Sequence, residues 1–201
     1  ARGIELDIHR AASGEAVVYH DFTLERLHGD PRELIALTGK ELALFGIPLL
    51  EELFAEFGSS LFYDVEIKSK KHGPSGVEVE AVRLVREYGL EKQVLLSSFN
   101  PHALRAAASV APEIPRGIIY SRDEEVPYLL RRGWGRFAVS VAALKPRSNL
   151  VTQRVVNRLG RRYAILPWTV DDPAEARRLD ALGVDGIITN DPVGVATALA
   201  R

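Results

Sequence analysis

From residue 61 onward, short apolar runs alternate with amphipathic stretches at a spacing of about 20–30 residues, the rhythm of repeated βα units. The runs Leu61–Ile67, Gln93–Ser97, Pro115–Tyr120, Phe137–Val141, Tyr163–Thr169 and Gly186–Thr189 are expected to be buried parallel strands. Helical or partly helical segments are expected after them, near 75–88, 101–110, 123–132, 151–160, 173–182 and 192–200. Asn100-Pro101, Asp172-Pro173 and Asp191-Pro192 each put a capping side chain ahead of a proline at the first helical position. Gly89, Gly133, Gly160 and Gly183 are placed to end helices. The stretch from Phe22 to Phe57 breaks the rhythm as one long connection, with helix expected at Pro31–Leu37 and Leu49–Phe57.

An opening strand around Gly3–His9 brings the count to seven, whereas a closed (β/α)₈ barrel takes eight. Ala1-Arg2-Gly3 reads like the end of a helix running into a strand. The pattern predicts an α/β fold of the (β/α)₈ TIM-barrel type, with a first βα unit preceding Ala1 and residues 1–201 forming a single barrel domain. The absence of methionine points to the same truncated start.

The densest chemistry lies in Gly3–Asp21. Glu5 and Asp7 sit two apart in a strand, so they point the same way, about 7 Å apart along it. Two carboxylates in an apolar setting repel each other and lose hydration, and a divalent cation is the simplest partner. Glu66 and Lys68, in F-Y-D-V-E-I-K, repeat the spacing at the end of another strand. Glu66 would complete a three-carboxylate set, and oxygen-only ligands favour Mg²⁺ or Ca²⁺ over zinc. Lys68 would offer a substrate phosphate a point charge. Asp64 shares that parity but lies deeper and reads as structural. His20-Asp21 closes the apolar run Ala16–Tyr19, and a histidine there suits proton transfer to a phosphate ester oxygen. His9 shares parity with the acids without needing a catalytic role; His28, His72 and His102 read as solvated. Trp168 reads equally as a pocket wall or as core packing. Ser97 and Ser98 are candidates to line the site, Asn100 is read as a cap, and the basic run Lys68–His72 as a wet or steering loop.

Composition narrows the rest. A formal charge of −1 gives no whole-chain field for nucleic acid or an anionic membrane, and no run reaches the roughly 18–20 apolar residues of a membrane span. No signal peptide opens the chain, so the cytoplasm is the default compartment. Zero cysteines exclude disulfides and Cys-ligated metal sites but suit any compartment. Oligomeric state is not legible.

Taken in order, I-E-L-D at 4–7, V-V-Y-H-D at 17–21, I-P-L-L-E-E at 47–52, V-E-I-K at 65–68, S-S-F at 97–99, W-T-V at 168–170 and D-G-I-I-T at 185–189 resemble the glycerophosphodiester phosphodiesterase family. The resemblance implies a (β/α)₈ barrel that hydrolyses small glycerophosphodiesters to glycerol 3-phosphate and an alcohol with Mg²⁺ or Ca²⁺. It implies Glu5, Asp7 and Glu66 as metal carboxylates, His20 as one of two acid–base histidines, Lys68 on the phosphate and Trp168 against the substrate. The family's H-R-G and E-N-T segments, which would supply a second histidine, an arginine and a further acid, are not in these residues. Its T-x-D-G turn reads Ala11-Ala12-Ser13-Gly14, its I-P-T-L-E-E has Leu49 for Thr, and Asp171 stands where Asn is common. The rival expectations are a degenerate barrel that binds phosphate without hydrolysis, a lysophospholipase D-type phosphodiesterase, and a sugar-phosphate barrel enzyme, which would not need three carboxylates together.

Overall fold

A computed structural model describes residues 2–69, 73, 75–124 and 126–200. They form two compact units, residues 2–114 and residues 115–200.

The first unit is built on β1 (Gly3–Arg10), β2 (Ala16–Val18), β3 (Phe62–Ile67) and β4 (Val94–Ser98), in the spatial order β2-β1-β3-β4. β1 pairs antiparallel with β2 and parallel with β3, and β3 pairs parallel with β4. Five helices accompany them: α1 (Glu25–His28), α2 (Gly39–Ala43), α3 (Leu50–Phe57), α4 (Val77–Glu87) and α5 (Pro101–Val110). In β1 the alternation of side chains sends Leu6 and Ile8 into a core shared with Val65, Ile67 and Leu96. Phe54 of α3 meets Tyr63 of β3 edge-on, ring centroids 5.0 Å apart. Cutting Phe54 to alanine would cost about 3–5 kcal/mol through the cavity left behind.

α4 buries Val77, Ala81, Leu84 and Val85, a helical stripe facing the sheet. Its buried Glu78 is satisfied by the N–H groups of Ser75 and Gly76 and the Ser75 hydroxyl. The tight β1–β2 connection requires Gly14, whose φ is +107°. The long connection holds less helix at Pro31–Leu37 than expected: only Leu34–Ala36 forms a 3₁₀ turn there, while α1 and α2 were not anticipated.

The second unit carries β5 (Arg116–Tyr120), β6 (Ala143–Pro146) and β7 (Ala164–Ile165), parallel in that order. α6 (Gln153–Leu159), α7 (Pro173–Leu182) and α8 (Pro192–Leu199) follow. The Asp-Pro starts behave as expected. Asp172 accepts from the Ala174 N–H and Asp191 from the Gly194 N–H, just as Asn100 accepts from His102 at α5.

Three expectations fail in this unit. Phe137–Val141 is not a strand: Trp134–Phe137 is a 3₁₀ turn, and the strand is β6, placed by pairing Gly117 with Ala143 and Tyr120 with Pro146. The apolar run has the stronger strand propensity, but the ladder with β5 decides. The helix expected near 123–132 is replaced by 3₁₀ turns at Tyr128–Leu130 and Trp134–Phe137. Gly186–Thr189 bonds to its neighbours without forming a strand. Ile188 exchanges bonds with the Pro167 carbonyl and the Val170 N–H, but Pro167 has no N–H to return. β7 itself spans two residues, where Pro146 of β6 lacks the N–H that the ladder would use next. No helix among the described residues is long and apolar enough to cross a membrane.

Candidate active site

The face of β1 opposite Leu6 and Ile8 carries Glu5, Asp7 and His9. Parallel register sets Asp7 beside Glu66 and Glu5 beside Asp64. One carboxylate oxygen from each of Glu5, Asp7 and Glu66 lies within 4.8 Å of the other two. Lys68, just past the end of β3, reaches back among them, its Nζ 3.0 Å from Asp7 Oδ1 and 3.1 Å from Glu66 Oε1. Burial pulls the Lys68 pKa down, but the charges of Glu66 and Asp7 and their hydrogen bonds more than offset it, holding the ammonium above the ordinary lysine value.

The neighbouring polar groups have structural duties. Ser97, paired with Glu66 across β3 and β4, donates its hydroxyl to Asp64 Oδ1 at 2.7 Å. Ser98 donates to the Ile67 carbonyl at 2.8 Å and accepts from the Asn100 N–H, so its hydroxyl locks the strand end. His9 is buried with its Nε2 3.4 Å from the His20 carbonyl and its ring edge-on to Phe22. Burial first, with Lys68 adding to it, pushes the His9 pKa down to about 4, so the ring is neutral at pH 7. His28 and His102 are exposed, and residues 70–72 of the basic run lie outside the described residues.

His20 is carried to the same strand by the backbone: the Tyr19 N–H donates to the Asp7 carbonyl at 2.9 Å. Its ring is 68% exposed, with Nδ1 2.6 Å from Asp21 Oδ1. Asp21 Oδ2 accepts from Arg26 Nε at 2.5 Å. The Arg26 bond first, then the His20 bond, hold the Asp21 carboxyl at about 2. An ionised carboxylate can only accept, so Nδ1 carries the hydrogen and Nε2 is the nitrogen left to exchange a proton. The sequence reading missed Arg26. Its only signal is a lone arginine five residues past Asp21, at the start of a one-turn helix.

Trp168 belongs to the second unit. It is half-buried, and its indole N–H donates to the Lys145 carbonyl at 2.9 Å. Its backbone N–H bonds to Pro146, so the ring is fixed from two sides of the same residue.

Residues 1–193 match the model of the Glycerophosphoryl diester phosphodiesterase family. The chain belongs to that family. A glycerophosphodiester phosphodiesterase of Caldanaerobacter subterraneus subsp. tengcongensis is 30% identical over 96% of this chain and 83% of its own length. A glycerophosphodiester phosphodiesterase from Thermotoga maritima superposes with a TM-score of 0.74 at 24% identity, covering 100% of this chain and 86% of that one. An Oleispira antarctica phosphodiesterase, solved with the product sn-glycerol-3-phosphate, gives 0.75 at 22% identity, covering 98% and 84%. These structural likenesses show the fold, the α/β barrel of the TIM type. Glycerophosphodiester phosphodiesterases hydrolyse small glycerophosphodiesters and depend in general on divalent metal, and this chain is a phosphoric diester hydrolase of that family.

Two departures from the family's motifs have visible local consequences. Leu49 cannot cap α3 with a side chain, so the Glu52 N–H turns to the Leu49 carbonyl at 3.2 Å, while Glu52 Oε2 still accepts from the Leu49 N–H at 2.8 Å. Asp171 accepts from the Thr189 hydroxyl and from the Asn190 backbone and side-chain amides. It is committed to tying that turn.

Proposed function

We propose that the chain, acting as one barrel domain, hydrolyses glycerophosphodiesters to glycerol 3-phosphate and an alcohol with a divalent cation, Mg²⁺ or Ca²⁺, held by Glu5, Asp7 and Glu66. The observation that carries this reading is the convergence of those three carboxylates within 4.8 Å, two of them sharing one lysine. The donor set fits the group: all oxygen, all anionic, and bearing more negative charge than Lys68 can neutralise. When bound, the cation supplies Lewis-acid stabilisation of charge on a non-bridging phosphate oxygen.

The remaining work falls to side chains. Lys68, kept charged by its neighbours, offers a second positive contact to the phosphate. His20, in its doubly protonated form with Nδ1–H committed to Asp21, gives the Nε2 proton to the leaving alkoxide oxygen as its bond to phosphorus breaks and a water oxygen bonds to phosphorus in its place. Trp168, at the position of the family's W-T-V motif, is proposed as a substrate-contacting aromatic.

The test is cleavage of glycerophosphocholine by the full-length protein with and without EDTA, alongside calorimetric titration with Mg²⁺ and Ca²⁺. Turnover that vanishes in EDTA and returns with one of the two metals supports the reading. Turnover insensitive to chelator, or absence of cation binding, overturns it. A second reading is a barrel that binds cation and phosphate without hydrolysis. It is met if cation and glycerol 3-phosphate bind and no metal restores turnover.

A further inference from the structure

We propose that the double 3₁₀ turn at Tyr128–Phe137 is a docking surface for an anionic lipid bilayer, with Tyr128, Leu129, Trp134 and Phe137 entering the interface and Arg131, Arg132 and Arg136 lying against the headgroups. Four large apolar side chains stand out of the protein within ten residues: Tyr128 is 71% exposed, Leu129 64%, Trp134 45% and Phe137 76%. Soluble surfaces carry such residues singly; a cluster marks an interaction site.

The segment is ordered by its own bonds. Local N–H to carbonyl bonds run from Leu130 to Pro127, Arg131 to Tyr128, Gly133 to Leu130 and Ala138 to Gly135. Arg131 donates to the Val126 and Glu124 carbonyls, and Arg136 donates to those of Arg132 and Gly133. Gly133 sits at φ +68° and lies so close to the Tyr120 ring that a Cβ there would come within 2.9 Å of it. The apolar side chains are therefore held outward by a pinned backbone. Trp134 and Phe137, three apart in a 3₁₀ turn, share a face, and the Arg136 guanidinium lies 4.3 Å over the Phe137 ring.

Charge selects the occupant. From Pro127 to Ser140 there are three arginines and no acidic residue, although the whole chain carries −1. A second copy docked through the same patch would set three arginines against three. An anionic bilayer answers both halves of the surface, since aromatic side chains settle at the headgroup level and arginines are drawn to its negative potential. The net charge of the sequence conceals this local excess. The inference is independent of catalysis, because its readout is binding.

The test is co-sedimentation of the intact chain with phosphatidylcholine–phosphatidylglycerol vesicles and with pure phosphatidylcholine vesicles. Binding is expected to the anionic vesicles, with a blue shift of Trp134 emission. Binding should weaken at least about tenfold in the Trp134→Ser, Phe137→Ser double variant. Arg132→Glu, which alters one exposed side chain, should weaken it severalfold. High salt should do the same, by shortening the screening length to about 3 Å near 1 M. Equal binding by wild type and both variants overturns the proposal, and so does equal binding to both vesicle types. Concentration-dependent self-association of the wild type, lost in the double variant and unaccompanied by vesicle binding, assigns the patch to a second copy and overturns it as well.

Discussion

Two aspartate–cation pairs in the first unit do opposite work. Asp7 faces Lys68 in a pocket where each side chain is only 14% exposed; Asp21 faces Arg26, whose side chain is 60% exposed. The outer group is balanced, with one carboxylate between an arginine and a histidine, and water screens whatever is left over. The inner group gathers three carboxylates, two of them on the Lys68 ammonium, and like charges gathered away from water are costly to hold together. The same kind of ion pair therefore orients a ring at the surface, while inside, on the function proposed above, it marks a site that a cation would complete.

The comparison breaks most directly at Glu66. Glu66→Gln removes one of the three negative charges while keeping size and packing. Calorimetry should show weaker Mg²⁺ and Ca²⁺ binding, and kcat/KM on glycerophosphocholine should fall by at least about 10², since losing even a supporting group costs 10–100-fold. Wild type should melt several degrees higher with cation than in EDTA, because a ligand at a hundred times its Kd stabilises the native state by about 2.7 kcal/mol. Wild-type affinity in Glu66→Gln would mean the inner carboxylates are a structural ion-pair network.

His20→Ala attacks the outer group instead. Here kcat should fall by about 10²–10⁴, the usual worth of one acid or base, with cation affinity unchanged. A loss of cation binding in this variant would erase the division of labour between the two regions.

How far the sequence foretold these regions depends on how local the deciding interaction is. The Asn-Pro and Asp-Pro helix starts were legible because a cap and its N–H groups lie within three residues. Glu5, Asp7, Glu66 and Lys68 were legible because a period of two fixes the face of a strand, and parallel register does the rest. Phe137–Val141 misled because its strand propensity is intrinsic, whereas β6 is chosen by a partner more than twenty residues away. The contribution of Arg26 was invisible because no periodicity links a loop aspartate to a one-turn helix. The 3₁₀ patch was hidden for a similar reason: a helical segment near 123–132 and a strand from Phe137 were expected, and neither expectation says which way the apolar side chains of two 3₁₀ turns face.

Tyr120 sharpens the comparison from a third side, as an ionisable group in which burial outweighs the one opposing charge named for it. Burial raises its pKa from 10.0 to about 12, with Arg136 opposing only weakly. The phenol stays neutral when folded, while the unfolded chain ionises above pH 10. The unfolded state then holds fewer protons, so this contribution to stability is complete below pH 10 and is lost as pH rises toward 12. The loss should be on the order of 2–3 kcal/mol. Urea unfolding across that window should show it, and Tyr120→Phe should flatten the slope. An equal slope in both proteins would mean that burial alone does not govern this group.

The smallest effect belongs to Arg26, and its direction is the informative part. Arg26→Ala removes the stronger of the two bonds that hold Asp21 at about 2, so the Asp21 pKa should rise toward the ordinary 3.8. At pH 7 the carboxylate remains ionised and still accepts from His20 Nδ1. Turnover should therefore change by no more than a few-fold, as expected for an exposed pair. The consequence appears in acid. A depressed carboxylate pKa contributes above its unfolded value and fades as pH falls through the folded one. In wild type the Asp21–His20 bond should therefore survive to about pH 2, and in Arg26→Ala it should fail nearer 4. Following the Asp21 carboxyl carbon shift by NMR between pH 5 and 3 separates the two cases, with buffer pH chosen to bracket the ordinary aspartate value. If Asp21 titrates alike in both proteins, Arg26 is a bystander, and the outer pair has no orienting role to set against the inner one.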